Sequence, residues 1–200
     1  MFAPLYLSNY CVNGCLYCPY HLKNKTIPRK KLTQEEIRNE VIALQDMGHK
    51  RLAIEAGEDP VRNPIEYILE SIDTIYSIKH KNGAIRRVNV NIAATSVEEY
   101  KMLHDAGIGT YILFQETYDR KGYEELHPTG PKSNYAYHTE AMDRVYAYRR
   151  SVYRHDHLDK GERVGQSKGA VHGNLADQRR VTHLRRRLCR GGLTARYGAV

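Results

Sequence analysis

The stretch Tyr10-Cys11-Val-Asn-Gly-Cys15-Leu-Tyr-Cys18 places three of the four cysteines of this chain within eight residues. Thiols this crowded do not suit an ordinary disulfide framework, and in a reducing compartment such a group more often holds metal. At this spacing, three thiolates can occupy three corners of a cubane iron–sulfur cluster, whose usual protein complement is four cysteines. One iron is then left open, as a catalytic metal site requires. The Asn-Gly pair between the first two cysteines permits a tight turn.

Around this loop, the first 144 residues alternate strand-like and helix-like segments, which predicts βα units and a parallel sheet. Capping boxes at Thr33–Glu36 and Ser96–Glu99 predict two helix starts, and Pro64 predicts a third. Four such units are fewer than a closed barrel of roughly 250 residues needs. We therefore predict an α/β fold, a partial (βα) TIM-type barrel over residues 1–144. The predicted strands are 3–8, 51–56, 88–93 and 111–115, and the predicted helices are 33–47, 64–76, 96–107 and about 137–148.

The last 56 residues differ from the rest in charge and pattern. Residues 145–200 contain 13 Lys and Arg and 4 Asp and Glu, a net charge of +9, so the whole-chain +8 leaves about −1 for residues 1–144. No apolar periodicity is visible there, which predicts an irregular basic tail of frameshifted or unrelated origin. Clustered Arg and Lys could also neutralise phosphates, but no nucleic-acid-binding motif accompanies them, so a nucleic-acid partner is not expected.

The amino-terminal residues do not predict an export signal. MFAPLYLSNY has no basic segment, and no window approaches the ~18 consecutive apolar residues of a membrane span. We therefore expect a cytoplasmic protein without a membrane partner.

The cysteine motif, with the aromatic Tyr17 directly before the last cysteine, resembles the signature of the radical S-adenosylmethionine (SAM) superfamily. The resemblance implies a 4Fe–4S cluster on Cys11, Cys15 and Cys18, whose open iron is chelated by the amino and carboxylate groups of SAM. An electron from a low-potential donor would then cleave SAM to a 5′-deoxyadenosyl radical that abstracts hydrogen. The alternative from another class is a structural zinc site, with His21 as a possible fourth ligand.

The resemblance also implies SAM contacts at the ends of the second and fourth strands and on the helix that follows the fourth. Glu55-Ala-Gly-Glu58 resembles the Gly-Gly-Glu element of the superfamily, which receives the SAM amino group, and a carboxylate suits that ammonium. Glu116 would contact the nucleoside or amino group, and Arg144 the carboxylate, which matches a guanidinium fork. Asn91 is a further polar candidate, and the sequence assigns no catalytic residue. The predicted SAM-binding residues are Tyr17, Ala56, Gly57, Glu58, Glu116 and Arg144.

Residues 2–144 resemble one branch of this superfamily, the tyrosine lyases of FeFe-hydrogenase maturation. The resemblance rests on residues 2–11, 18–25, 127–132 and 135–144. It implies cleavage of L-tyrosine at Cα–Cβ to p-cresol and dehydroglycine. Dehydroglycine would then give carbon monoxide and cyanide for the H-cluster, with hydrogenase maturation proteins as partners.

Two features qualify this resemblance. The thiamine-pathway tyrosine lyase, a 2-iminoacetate synthase, is the alternative, but that family usually has Gly-Phe where this chain has Pro19-Tyr20. A second cluster domain with its own cysteine motif would identify the maturase, yet only Cys189 lies near the carboxyl terminus. We therefore expect the chain to be a fragment with little or no lyase activity alone.

Overall fold

The structure is a computed structural model that describes residues 2–81 and 83–147. Of the predicted tail, only residues 145–147 fall in this range, and they continue a helical segment that begins at residue 141. In chain order the other elements are β1 (Ala3–Ser8), α1 (Gln34–Asp46), β2 (Arg51–Ala56), α2 (Ile65–Ser77), β3 (Lys79–His80), β4 (Gly83–Ala84), β5 (Arg87–Asn91), α3 (Val97–Asp105), β6 (Thr110–Ile112), α4 (Arg120–Leu126), a 3-10 turn (Pro131–Ser133) and α5 (Tyr135–Thr139).

Four strands form one parallel sheet in the order β1-β2-β5-β6. The register places Leu5 beside Ile54, Ile54 beside Val90, and Val90 beside Tyr111. All strands run in the same direction, so their carboxyl ends meet at one edge, where enzymes of this architecture place their chemistry. The predicted α/β fold built from successive βα units is confirmed.

Residues of β1, β2 and β5 pack with residues of α1, α2 and α3 in one buried core. Both predicted capping boxes are present, because Thr33 and Ser96 each accept a bond from the backbone of the glutamate three residues later. Gly48 and Gly107 follow α1 and α3 with positive φ angles of 88° and 75°, the usual left-handed helix end. None of the helices in residues 2–147 that the structure describes is long and apolar enough to cross a bilayer. The core residues include Leu5, Leu7, Ile37, Val41, Leu52, Ile54, Ile68, Ile72, Ile75, Val88, Val90 and Leu103.

Four sequence-based details are corrected. The segment after the fourth strand was predicted as loop, but α4 forms there because Asp119 caps it by accepting from Gly122 N. The helix predicted at 137–148 is broken at Glu140, between α5 and the helical residues 141–147. Pro64 is the N-cap of α2 and not its first residue. The hairpin of β3 and β4, two residues each, was not predicted because such short strands leave no alternating pattern.

Candidate functional site

A cavity of about 240 Å³ lies at the carboxyl ends of the strands, and we call it the cysteine cavity. Cys11, Cys15 and Cys18 all border it, and none of the three is in a disulfide. Strands β2 and β5 contribute residues at their ends, and the segment after β6 contributes several more. Cys15 is 5% exposed. Burial raises the pKa of its thiol, while the charge of Lys132 acts in the opposite direction.

The guanidinium of Arg29 joins the two ends of the cysteine loop. Arg29 donates from Nη1 to the carbonyl oxygens of Asn9 and Tyr20, at 2.6 and 2.9 Å. Its Nη2 donates to the carbonyl oxygens of His21 and Asn24, at 2.8 and 3.1 Å. Since these carbonyls lie before and after the last cysteine, Arg29 fixes the loop without contacting a thiol.

A second loop, residues 126–134, forms backbone hydrogen bonds with the middle of the cysteine loop. Gly14 N donates to the Thr129 carbonyl at 2.9 Å, and Leu16 N donates to the Leu126 carbonyl at 3.0 Å. A Cβ on Gly14 would lie 2.2 Å from Oγ1 of Thr129. Gly14 is therefore needed for close approach of the two loops, and its φ is not among the positive ones.

Asn13 joins three parts of the site. Its side chain is 2% exposed, and Nδ2 donates to Glu58 Oε2 at 2.6 Å and to the Cys11 sulfur at 3.7 Å. Its Oδ1 accepts from the Lys132 backbone N–H at 2.8 Å. Both amide hydrogens and the carbonyl are thus used, as buried polar groups require.

The Gly57-Glu58 pair lies directly against the cysteine loop. Gly57 N donates to the Ser8 carbonyl at 3.0 Å, and a Cβ on Gly57 would lie 2.4 Å from the Tyr10 carbonyl oxygen. A glycine is therefore required for the backbones to approach. Burial raises the pKa of Glu58, while the hydrogen bond from Asn13 and the charge of Lys132 oppose this shift.

Lys132 lies at the centre of a chain of polar side chains that includes Tyr17 and Glu116. Its Nζ donates to Glu116 Oε1 at 3.2 Å and to the Tyr17 hydroxyl at 3.1 Å. The Tyr17 hydroxyl donates in turn to His127 Nε2 at 2.8 Å, because His127 Nδ1 donates to the Tyr123 carbonyl at 2.8 Å. Glu116 has φ +65°, a conformation uncommon outside glycine, and such outliers cluster at functional sites.

His138 is a buried histidine at the same cavity. It is 4% exposed, and its Nδ1 lies 2.9 Å from Gln115 Oε1. Burial, with the nearby charge of Lys132, lowers the pKa of His138 to about 4, so the ring is neutral near pH 7. Its Nε2 has no partner among the residues that the structure describes.

The structure brings most of the predicted SAM-binding residues together. Tyr17, Ala56, Gly57, Glu58 and Glu116 all border the cysteine cavity, as does Asn91. Arg144 borders neither of the two cavities at this edge. Its Nε donates to the Thr95 carbonyl at 2.9 Å, and its Nη2 donates to the Tyr137 carbonyl at 2.6 Å.

A second cavity of about 470 Å³ lies next to the first. Ala56, Gly57, Glu58, Ile92 and Ala93 border both cavities. A ligand that touches this shared wall can therefore contact groups of either cavity.

The donor set fits a cubane cluster better than a single metal ion. Among the described residues, no three His, Cys, Asp or Glu side chains converge closely enough to hold one ion. A tetrahedral zinc site needs such convergence, and His21 does not border the cavity. In a cubane, each thiolate binds a different iron, so three free cysteines spaced around one cavity suit it.

Comparison with known proteins agrees with this geometry. The family model described as "Radical SAM superfamily" matches residues 5–158 of this chain. The chain belongs to the radical SAM superfamily. Members of this superfamily use a 4Fe–4S cluster and SAM. Cys11, Cys15 and Cys18 remain the predicted cluster ligands.

Two solved structures of HydG, a maturase of the FeFe-hydrogenase, resemble this radical SAM chain. One is 65% identical, covers 74% of this chain and 32% of its own, and has a TM-score of 0.72. The other, from Carboxydothermus hydrogenoformans, is 42% identical, covers 74% and 33%, and has a TM-score of 0.69. The 2-iminoacetate synthase of Salmonella typhimurium is 30% identical over 144 residues, 72% of this chain and 36% of that protein. The chain thus spans about a third of the length of these relatives.

Proposed function

We propose that this radical SAM chain is part of a tyrosine lyase of the FeFe-hydrogenase maturation type. The observation that carries the proposal is the 65% identity to a HydG structure over 74% of the chain, against 30% to a 2-iminoacetate synthase. The reaction would cleave the Cα–Cβ bond of L-tyrosine to p-cresol and dehydroglycine, which would then give carbon monoxide and cyanide.

The residues of the cysteine cavity would divide the work of binding. Cys11, Cys15 and Cys18 would hold three irons of the cluster, and Glu58 would receive an ammonium group at the shared wall. When bound, the cluster supplies one electron and SAM supplies the 5′-deoxyadenosyl radical that removes a hydrogen atom from substrate. The protein's part is to orient these groups and keep water out. The neutral His138 and the buried Cys15, which border the same cavity, support that role.

The proposal includes partners and a compartment. Reduction of the cluster needs a low-potential electron donor, and delivery of the diatomic products needs other hydrogenase maturation proteins. Free thiols this close together persist in reducing compartments, which supports a cytoplasmic location. The second candidate is a 2-iminoacetate synthase that releases dehydroglycine for thiamine synthesis, supported by the identity to the Salmonella typhimurium enzyme.

Anaerobic reconstitution with iron and sulfide tests the cluster first. We expect a cubane EPR signal in the dithionite-reduced chain that shifts when SAM is added and is absent from Cys15→Ala. A chain that binds zinc and stays colourless would overturn the proposal in favour of the structural site.

Tyrosine is tested next on the SAM-loaded chain. We expect L-tyrosine to change the EPR signal and L-phenylalanine to leave it unchanged, with little p-cresol because the chain spans about a third of its relatives. In the longer protein that contains this segment, cyanide formation separates the maturase from the synthase, which stops at dehydroglycine. A signal that responds equally to both amino acids would contradict the tyrosine assignment.

A further inference from the structure

We propose that Lys132 binds the α-carboxylate of the amino-acid ligand in the cysteine cavity. The inference deepens the proposed function and rests on it, because SAM and tyrosine both carry this group. The sequence had assigned a carboxylate only to Arg144.

The charges around the cavity support the inference. Glu55, Glu58 and Glu116 all border it, together with the three cysteines. Lys132 is the one Lys or Arg among the described residues that line it. A carboxylate that enters this acidic cavity can therefore pair with only one cationic side chain among the described lining residues, that of Lys132. Repulsion from the three glutamates favours the same position.

Lys132 is held in place before any ligand arrives. Its backbone N–H donates to Asn13 Oδ1 at 2.8 Å, and its carbonyl accepts from the Tyr123 hydroxyl at 2.7 Å. Its side chain is 18% exposed, and the ammonium donates to Glu116 and Tyr17. An ammonium has three hydrogens, so one remains for a ligand oxygen. A fixed and largely desolvated cation binds a carboxylate more strongly than a solvated one.

Arg144 is occupied elsewhere. Two of its nitrogens donate to the carbonyls of Thr95 and Tyr137, and its guanidinium lies over the Tyr137 ring at 3.8 Å. These contacts tie the helical segment 141–147 to the loop after β5. The side of the guanidinium formed by Nε and Nη2 is thus already used.

The test compares ligands with and without a carboxylate. Anaerobic equilibrium dialysis of the reconstituted chain measures the Kd of SAM against decarboxylated SAM, and then of L-tyrosine against tyramine with SAM present. We expect the carboxylate to strengthen binding of at least one pair about tenfold or more, the range of a charge-assisted hydrogen bond. Equal affinity within both pairs in the unsubstituted chain would overturn the proposal without any variant.

Variants assign the effect to Lys132. In Lys132→Met we expect the discrimination to disappear in the pair whose carboxylate is bound, while Lys132→Arg keeps part of it. Lys121→Met, an exposed lysine of α4, is the matched control and should behave like the unsubstituted chain. Iron content is measured for each variant. If Lys132→Met loses its iron, Lys132→Arg decides, because a charge-retaining variant that binds both members of each pair equally contradicts the proposal.

The two pairs distinguish the source of the carboxylate. Loss of discrimination between SAM and decarboxylated SAM points to the cofactor, and loss between tyrosine and tyramine points to the substrate. Full discrimination in an iron-loaded Lys132→Met would overturn the inference. These affinities need no turnover, so a failure of p-cresol or cyanide formation would count against the proposed function alone.

Discussion

Asn13 and Glu58, 45 residues apart, are joined by a hydrogen bond of 2.6 Å from Nδ2 to Oε2. The bond links the turn between the first two cysteines to the end of β2. The same Nδ2 reaches the Cys11 sulfur, and Oδ1 accepts from Lys132. One buried amide therefore sets the relative positions of a predicted cluster ligand, a predicted SAM-binding carboxylate and the backbone of Lys132.

Replacing Asn13 should uncouple these parts. Asn13→Ala leaves Glu58 Oε2 and the Lys132 N–H without this partner, and an unsatisfied buried group costs about 1–3 kcal/mol. We expect the free energy of unfolding to fall by that amount in urea titrations, with less than half the iron retained after reconstitution. Asn39→Ala, at an exposed position of α1, is the control. Unchanged iron and stability in Asn13→Ala would contradict the bridging role.

Gly57→Ala should damage the cysteine loop from the other side. The new Cβ would meet the Tyr10 carbonyl at 2.4 Å, so backbone must move. Overpacking of this kind costs about 1–3 kcal/mol, and the shift displaces Cys11, whose Cβ lies 3.0 Å from the same point. The measurement is iron per chain together with urea unfolding.

Gly83→Ala is the matched control for Gly57→Ala. The nearest atom to its new Cβ is Nζ of Lys50, the end of a flexible side chain that can move away. We expect normal iron content in this variant. Equal loss of iron in both variants would show that the close approach at Gly57 has no special part.

Acid should destabilise the chain through His138. Its folded pKa is about 4, below the ordinary value of 6.5, so between these values the unfolded chain binds a proton that the folded chain does not. The free energy of unfolding is unaffected by this histidine above pH 6.5 and falls as the pH drops toward 4. The total loss is at most about 3 kcal/mol. Urea unfolding of the iron-free chain at several pH values measures it.

His138→Asn provides the comparison for the acid series. Asn keeps a donor in place of Nδ1 for Gln115 but does not titrate. We expect its stability to depend less on pH between 6.5 and 4 than that of the unsubstituted chain. Parallel pH profiles for the two proteins would exclude His138 as the source of the acid sensitivity.

Removing the guanidinium of Arg29 should open the segment it closes. Arg29→Met loses four hydrogen bonds to loop carbonyls, so residues 20–24 should become more accessible to protease. Limited chymotrypsin digestion followed by mass spectrometry should show cleavage after Tyr20 or Leu22 at least several times faster. Arg38→Met, at an exposed position of α1, should digest like the unsubstituted chain. Slow cleavage in Arg29→Met would mean that the loop is closed by other contacts.

The elements that carry a local signal were predictable from the sequence. Strands β1 and β2 and both capping boxes are where the sequence puts them, because short-range patterns determine them. The spacing of Cys11, Cys15 and Cys18 likewise predicted that the three thiols lie close together, and all three border one cavity. Helix α4 was missed because its seven residues, about two turns, include Gly122 and have no clear apolar face.

The long-range contacts of the site had no signal in the sequence. Asn13 is 119 residues from Lys132, and Tyr17 is 110 residues from His127. Lys132 lay in a segment noted for its resemblance, but only the fold shows that it reaches the cavity. Arg29 was missed because its four acceptors are main-chain carbonyls, which any sequence provides.

The cysteine loop is held by hydrogen bonds that involve no sulfur. Arg29 binds main-chain carbonyls on either side of the loop, and Gly14 and Leu16 within it donate to the segment 126–129. The conformation of the cysteine loop is therefore determined by hydrogen bonds of the polypeptide, and none of these bonds requires iron. We expect the cysteine loop to keep its conformation after oxygen has destroyed the cluster. Repair after oxidative damage would then be a matter of resupplying iron, sulfide and reductant, with no need for a chaperone to refold the chain.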